Sequence, residues 1–434
     1  MRHLRTVSIV SATALAVLAA GAILGLRETP PVTRTAGAAL AAAPADRQAQ
    51  AIARAQDRLR ELPRDDQTWA ALGVAYVERA RITADPSLYP RAEGALRRSL
   101  SLRRNPSALV GLGALANARH DFAAARKYAG QAVQANPYDA SAFGVLADAA
   151  TQLGDRAGAT AAVQRMLDLR PGLAAYARAS YDLELRGDLG RAETLMGQAL
   201  SAASDPADIA FCRNQLGDLA FNRGDLAAAG GHYDAGLAAD PGYQPLLRGR
   251  ARVRAATGSV PAALADAARV AARTPTPDTL LEYAQLLRFA GRPGEAARQL
   301  DLADAAHRVF QANGGRDDLA GAQLALARGD QATAVRLARA EFARRPFPDV
   351  ADALAQALHQ AGQDEAAAGY ARRAVAAAPS NAAYTWHLAQ IALTTGDRRT
   401  ARDQLRRTRE LNPYFSLTDG PTAARALAAL EAHR

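Results

Sequence analysis

The segment GDLAAAGGHYDAGLAADP, residues 224–241, opens on glycine, runs through small residues and closes on proline. The same outline returns as GDRAGATAAVQRMLDLRP at 154–171, GDQATAVRLARAEFARRP at 329–346, GQDEAAAGYARRAVAAAP at 362–379 and GDRRTARDQLRRTRELNP at 396–413, with 17 positions between glycine and proline in each copy. Taken as markers, His120, Gly154, Gly187, Gly224, Gly258, Gly291, Gly329, Gly362 and Gly396 follow one another at 34, 33, 37, 34, 33, 38, 33 and 34 residues. A period of this size signals stacked supersecondary units, none of which buries its apolar face alone.

Each marker suits the left-handed end of a helix, a conformation that costs glycine nothing. The aspartates at 155, 188, 225, 330 and 397 stand where they can cap a following helix. Proline at 137, 171, 241, 275, 346, 379 and 413 then ends that second helix, whose hydrogen-bond ladder it cannot continue. Five residues after the marker the chain keeps Ala125, Ala159, Ala229, Ala263, Ala334, Ala367 and Ala401, where two helices must approach closely. The plain composition is therefore a packing requirement, although Gly230, Gly231 and Gly236 go beyond it and weaken their helix. With aromatics at 5% and no alternating strand pattern, the chain reads as all-α.

WAALGVAY at 69–76 meets the signature W-x2-L-G-x2-Y without a mismatch, through Trp69, Leu72, Gly73 and Tyr76. LVGLGALA keeps Leu112 and Gly113, RNQLGDLA keeps Leu216 and Gly217, and FGVLADAA keeps Leu146. On these residues and the joint spacing of Gly, Ala and Pro, the chain resembles the tetratricopeptide repeat family from about Asp46 to Pro413. The resemblance implies a right-handed superhelical α-solenoid of stacked antiparallel helix pairs, about ten units with capping helices, whose first helices line a concave face that holds peptides or helices of other proteins. A half-repeat cap is expected over residues 46–63, repeats over about 66–413 and a capping helix over about 421–433. The TADPSLYP insert falls between the helices of the first repeat, and the seventh has a long second helix ending in NGG at 313–315, a place for the array to bend.

Before the repeats, MRHLR is followed by 21 uncharged residues between Arg5 and Arg27. Residues 1–26 are either an export signal, with small-residue sites at Ala41–Ala43, or a single membrane anchor. Residues 27–45, rich in Pro, Thr, Ala and Gly, read as a flexible linker. Either reading places the repeats outside the cytoplasmic membrane, secreted or anchored to its outer side.

The formal charge of +10 is carried by arginines spread over every repeat, with no dense basic run interleaved with aromatics. That reads as a mildly basic solvated surface, with nucleic acid not an expected partner. The seven histidines are scattered, Cys212 is alone, and no phosphate-binding loop or nucleophile elbow is present. The expectation is a chain that is not an enzyme, with no cofactor, metal or small-molecule substrate. Acidic pairs such as Asp65/Asp66 and Asp317/Asp318 read as helix caps.

Partner-binding candidates come from the Leu-Gly register. Asn214, Asp218 and Asn222 recur every four residues on one face of the fifth repeat's first helix; the sixth offers Arg248 and Arg252, and the fourth Arg178 and Tyr181. Val110, Ala114 and Val145 stand where chaperone-binding members carry a carboxylate clamp, so that clamp is not reproduced. Leu286, Phe289 and Trp386 are either apolar anchors or core. Two functions remain. One is an exported scaffold holding a partner polypeptide in its groove; the other is a basic solenoid that attaches to an anionic polymer, cell-wall polyanion or nucleic acid, without specificity.

Overall fold

A computed structural model describes residues 44–432, and the expected signal or anchor at 1–26 and most of the linker lie outside those residues. No described helix is long and apolar enough to cross a membrane. The described chain is all-α, as expected, and forms an α-solenoid. Helix α1 (Pro44–Glu61) begins inside the stretch read as linker and packs as the half-repeat. Ten antiparallel pairs follow: α2 (Asp66–Thr83) with α3 (Tyr89–Leu102), α4 (Pro106–Ala118) with α5 (Phe122–Ala135), α6 (Ala140–Gln152) with α7 (Arg156–Leu169), α8 (Leu173–Leu185) with α9 (Leu189–Ser201), and α10 (Pro206–Asn222) with α11 (Leu226–Ala239). The second five are α12 (Gln244–Ala256) with α13 (Val260–Arg273), α14 (Pro277–Phe289) with α15 (Pro293–Ala312), α16 (Asp318–Arg328) with α17 (Gln331–Arg344), α18 (Pro348–Gln360) with α19 (Asp364–Ala377), and α20 (Ala382–Thr394) with α21 (Arg398–Leu411). Helix α22 (Asp419–Ala432) covers the last pair, starting two residues before the expected 421. The TADPSLYP insert is taken up by a 3-10 turn at Pro86–Leu88 and the start of α3.

The turn chemistry operates as the sequence predicts. All eight marker glycines have positive φ, and His120 takes the same conformation at φ 60°. Asp121, Asp155, Asp188, Asp225, Asp330 and Asp397 each accept the backbone N–H three residues on at the start of the second helix. Each such cap contributes about 1 kcal/mol. The alanines five residues beyond the markers are all buried at the contact between paired helices.

The array also packs on itself. A Cβ on Gly154 would stand 3.3 Å from Pro346 Cγ, one on Gly187 2.8 Å from Ser380 Oγ, and one on Gly224 3.3 Å from Pro413 Cδ. Asn412 Nδ2 donates to the Phe221 carbonyl at 2.7 Å, and the Arg316 amide to the Arg119 carbonyl at 2.9 Å. In each case the turn inside repeat n meets the end of repeat n + 5. The solenoid therefore completes a turn within about six repeats and its turns touch. Arg345 is buried at this junction, held by the equally buried Glu341 and by Gln152 and lying over the rings of Phe122 and Phe347. The NGG segment belongs here too. Gly314, at φ 84°, lies against the Arg119 side chain, and Gly315 against the Phe310 ring, so the long α15 reaches across to the second repeat.

Candidate functional site

Because the turns touch, the concave face is narrowed to a cavity of about 960 Å³ that stays partly open to solvent. Its wall is built by α8, α10, α12 and α14, continued by the α16–α17 turn, and closed by Asp349, by 380–384 and by 412–418 from the other superhelical turn. Two rows of the first helices face it. Six residues before the turn glycine come Tyr181, Asp218, Arg252 and Gln285; three before it come Glu184, Phe221, Ala255 and Arg288. Positions three apart share a helical face, so each helix presents one residue from each row.

Most charge on this wall is matched. Arg248 donates from Nη2 to Glu282 Oε1 at 2.6 Å and from Nη1 to Asp278 Oδ2 at 3.1 Å. Arg252 pairs with Asp218 and lies 4.9 Å from the Phe221 ring centre. Asp218 also accepts from Tyr233 Oη at 2.8 Å and from Asn214 Nδ2 at 2.9 Å. Arg288 donates to the Ala327 carbonyl at 3.0 Å.

Two carboxyls stand outside these pairs. Glu184 accepts from Asn222 Nδ2 at 3.1 Å and Asp349 accepts from the Tyr384 hydroxyl; neither forms an ion pair among the described residues. Burial, with the like charge of Asp218 adding to it, pushes the Glu184 carboxyl up to about 7, even against the Asn222 hydrogen bond. Burial raises Asp349 as well. Tyr181, 6% exposed on the same wall, has a buried hydroxyl with no hydrogen-bond partner.

Of the residues singled out in the sequence, Tyr181, Asp218, Asn222, Arg248 and Arg252 stand together on this wall. Arg178 and Asn214 do not. Arg178 is buried on α8, donating from Nε and Nη2 to both oxygens of Asp148 at 2.8 Å, and Asn214 is buried behind Asp218. Leu286 lines the cavity, Phe289 is exposed at its edge, and Trp386 is core beneath α22. The sequence reading missed Glu184, Glu282, Arg288, Asp349 and Tyr384. Counting back from the turn glycine finds Glu184 and Arg288. Nothing local finds Asp349 and Tyr384, which reach the wall from repeats nine and ten. Cys212 is buried, which pushes its thiol up to about 12. Among the described residues no group of three or more His, Cys, Asp or Glu side chains is placed to hold a metal.

No protein-family profile matches the sequence, and no curated protein matches it. Solved structures do. A tetratricopeptide repeat protein from Parabacteroides merdae is 17% identical over 60% of this chain and 98% of its own, with a TM-score of 0.37. A thermophilic TPR protein in Thermus thermophilus is 21% identical over 43% of this chain and 98% of its own, at 0.39. A human IFIT1 dimer with PPP-AAAA is 12% identical over 85% of this chain and 86% of its own, at 0.45. At these scores none of them bears on what this chain binds. The tetratricopeptide-like helical repeat fold rests on the period and pairing of the chain's own helices.

Proposed function

We propose that the chain is a non-enzymatic scaffold that receives a segment of a partner polypeptide in the cavity of its concave face, on the outer side of the cytoplasmic membrane. The observation that carries this is the cavity itself. Its wall draws on the first helices of several consecutive repeats and mixes apolar surface with fixed polar groups, the composition of a recognition site. The sequence of residues 1–26 motivates the location. A second reading, attachment to an anionic polymer, has one observation in its favour: Arg398, Arg399, Arg407 and Arg409 are exposed along α21.

Photo-crosslinking in the native host separates the two. Benzoylphenylalanine replaces Phe289 and Tyr283 on the cavity wall, with exposed Asp57 as a control outside it. Capture of one polypeptide from both wall positions and not from residue 57 is the expected result. Equal capture of polyanion from all three, lost steeply with added salt, overturns the scaffold in favour of the second reading.

A further inference from the structure

At one end of the cavity wall, acceptors stand without a donor or an ion pair. Tyr181 and Glu184 are neighbours on one face of α8, and Asp349 and Tyr384 close over them from the next superhelical turn, where Leu185 packs against Leu319, Phe347 and Val350. One oxygen of each carboxyl is taken, by Asn222 on Glu184 and by Tyr384 on Asp349, and among the described residues Glu184 Oε2 and Asp349 Oδ2 have no hydrogen bond. The Tyr181 hydroxyl, buried at the same wall, has none either. The neighbouring arginines pair elsewhere: Arg248 with Glu282 and Asp278, Arg252 with Asp218, and Arg345, whose charge reaches Asp349, with Glu341 and Gln152. Keeping two half-buried carboxyls charged without an ion pair is costly, and a cation entering the cavity is the group that offsets it.

We propose that Tyr181, Glu184, Asp349 and Tyr384 form a receptor for one cationic group, the ammonium or guanidinium of a Lys or Arg side chain on the polypeptide in the cavity. This rests on the scaffold reading and adds to it the sign and number of the charge recognised. An ammonium supplies three donors and a guanidinium five; the two open carboxyl oxygens and the phenol oxygen are three acceptors. The phenol ring of Tyr181 supplies the apolar contact for the stem of such a side chain.

The test uses the full chain and fluorescent, capped pentapeptides of alanine with Lys, Arg, Gln or Glu at the centre, followed by anisotropy at pH 8. The Lys and Arg peptides are expected to bind at least about tenfold more tightly than the Gln peptide, the Glu peptide weakest. That preference should vanish in the Glu184→Gln/Asp349→Asn double variant and fall in Tyr181→Phe. Because the double variant only neutralises half-buried carboxyls outside any ion pair, its thermal midpoint should stay level or rise, so a lost preference is not unfolding. Binding of the Gln or Glu peptide as tightly as the Lys peptide, binding of no peptide, or survival of the preference in the double variant each overturns the receptor. A benzoylphenylalanine at Tyr283 that captures one polypeptide while Lys and Gln peptides bind alike sinks the receptor and leaves the scaffold standing. Binding of n-butylammonium as tight as that of the Lys peptide does the reverse: the receptor stands, and a polypeptide as its source falls.

Discussion

Glu184 shows how the cavity trades stability for an accessible charge. Its neighbours are Tyr181 on its own helix and Asp218 and Asn222 on α10, with no cation in pairing distance. A carboxyl raised in the folded state stabilises the fold only while protonated. Its contribution is whole below the ordinary value of 4.5 and is lost as pH rises through about 7. Glu184→Gln removes that loss. By denaturant titration at pH 8 the variant should be more stable than the parent by about 1 to 3 kcal/mol, at 1.36 kcal/mol per pKa unit, and the gain should shrink to nothing near pH 4.5. Burial raises Asp148 and Asp349 as well, so the parent's own pH profile mixes several groups and the difference between the two proteins isolates this one. A gain that does not depend on pH would mean that Glu184 is not the group that titrates. At the same scale Tyr233, fully buried, lies between Gly217 and Gly249, where a Cβ on either would come within 2.4 Å of its ring. Gly217→Ala should therefore cost about 1 to 3 kcal/mol through overpacking, measured as a lower denaturation midpoint.

The individual helix was the most legible unit. Turn glycine, capping aspartate, buried alanine and closing proline act within a few residues of one another, and each did in the fold what it does in isolation. Helix α11, the segment that first disclosed the period, shows where local reasoning stops. Its three glycines look alike in sequence and differ in surroundings. A Cβ on Gly236 would stand 2.7 Å from both methyls of Leu246, so close packing against α12 explains that one. Gly230 would meet only Val253, at an ordinary 3.7 Å, and Gly231 nothing within 4 Å; nothing in the structure explains these two. Gly231→Ala should accordingly stabilise the protein by about 0.8 to 1 kcal/mol, and Gly236→Ala should destabilise it. Equal gains from both, in thermal or chemical denaturation, would show that the Leu246 contact yields without cost. The candidate site divides in the same way. Counting along a first helix finds Tyr181, Asp218 and Arg252, and Glu184 from the next row, while whether an arginine is free or already paired depends on the helix beside it.

At the scale of the molecule the sequence is silent for a physical reason. Each repeat encodes only its fit to its neighbours, and the small rotation per repeat decides whether a distant turn comes back into contact. Self-contact at an offset of five repeats, the closing of the cavity, and the arrival of Asp349 and Tyr384 beside Tyr181 are sums over that rotation. Stability is correspondingly not additive along the array. In an open solenoid a change in the last repeat is felt by the one before it; here repeat ten holds repeat five through Asn412, 2% exposed, and the Phe221 carbonyl. Asn136 precedes its proline as Asn412 does, and both side-chain oxygens accept an amide N–H two residues on. Asn136 is exposed and meets no other turn, so the two residues differ only in the place of their repeats. Asn412→Ala removes the bond between the turns while the Phe221 carbonyl keeps the Gly224 amide at 2.8 Å, a cost of about 0.5 to 1.5 kcal/mol, and hydrogen exchange should accelerate at residues 221–225 as well as around 412. Asn136→Ala should accelerate exchange only around itself. If residues 221–225 exchange alike in the parent and in Asn412→Ala, the two turns are not coupled in solution and the concave face stands open; if they respond to the distant substitution, the cavity is a property of the closed superhelix and any ligand that fills it will tighten both turns at once.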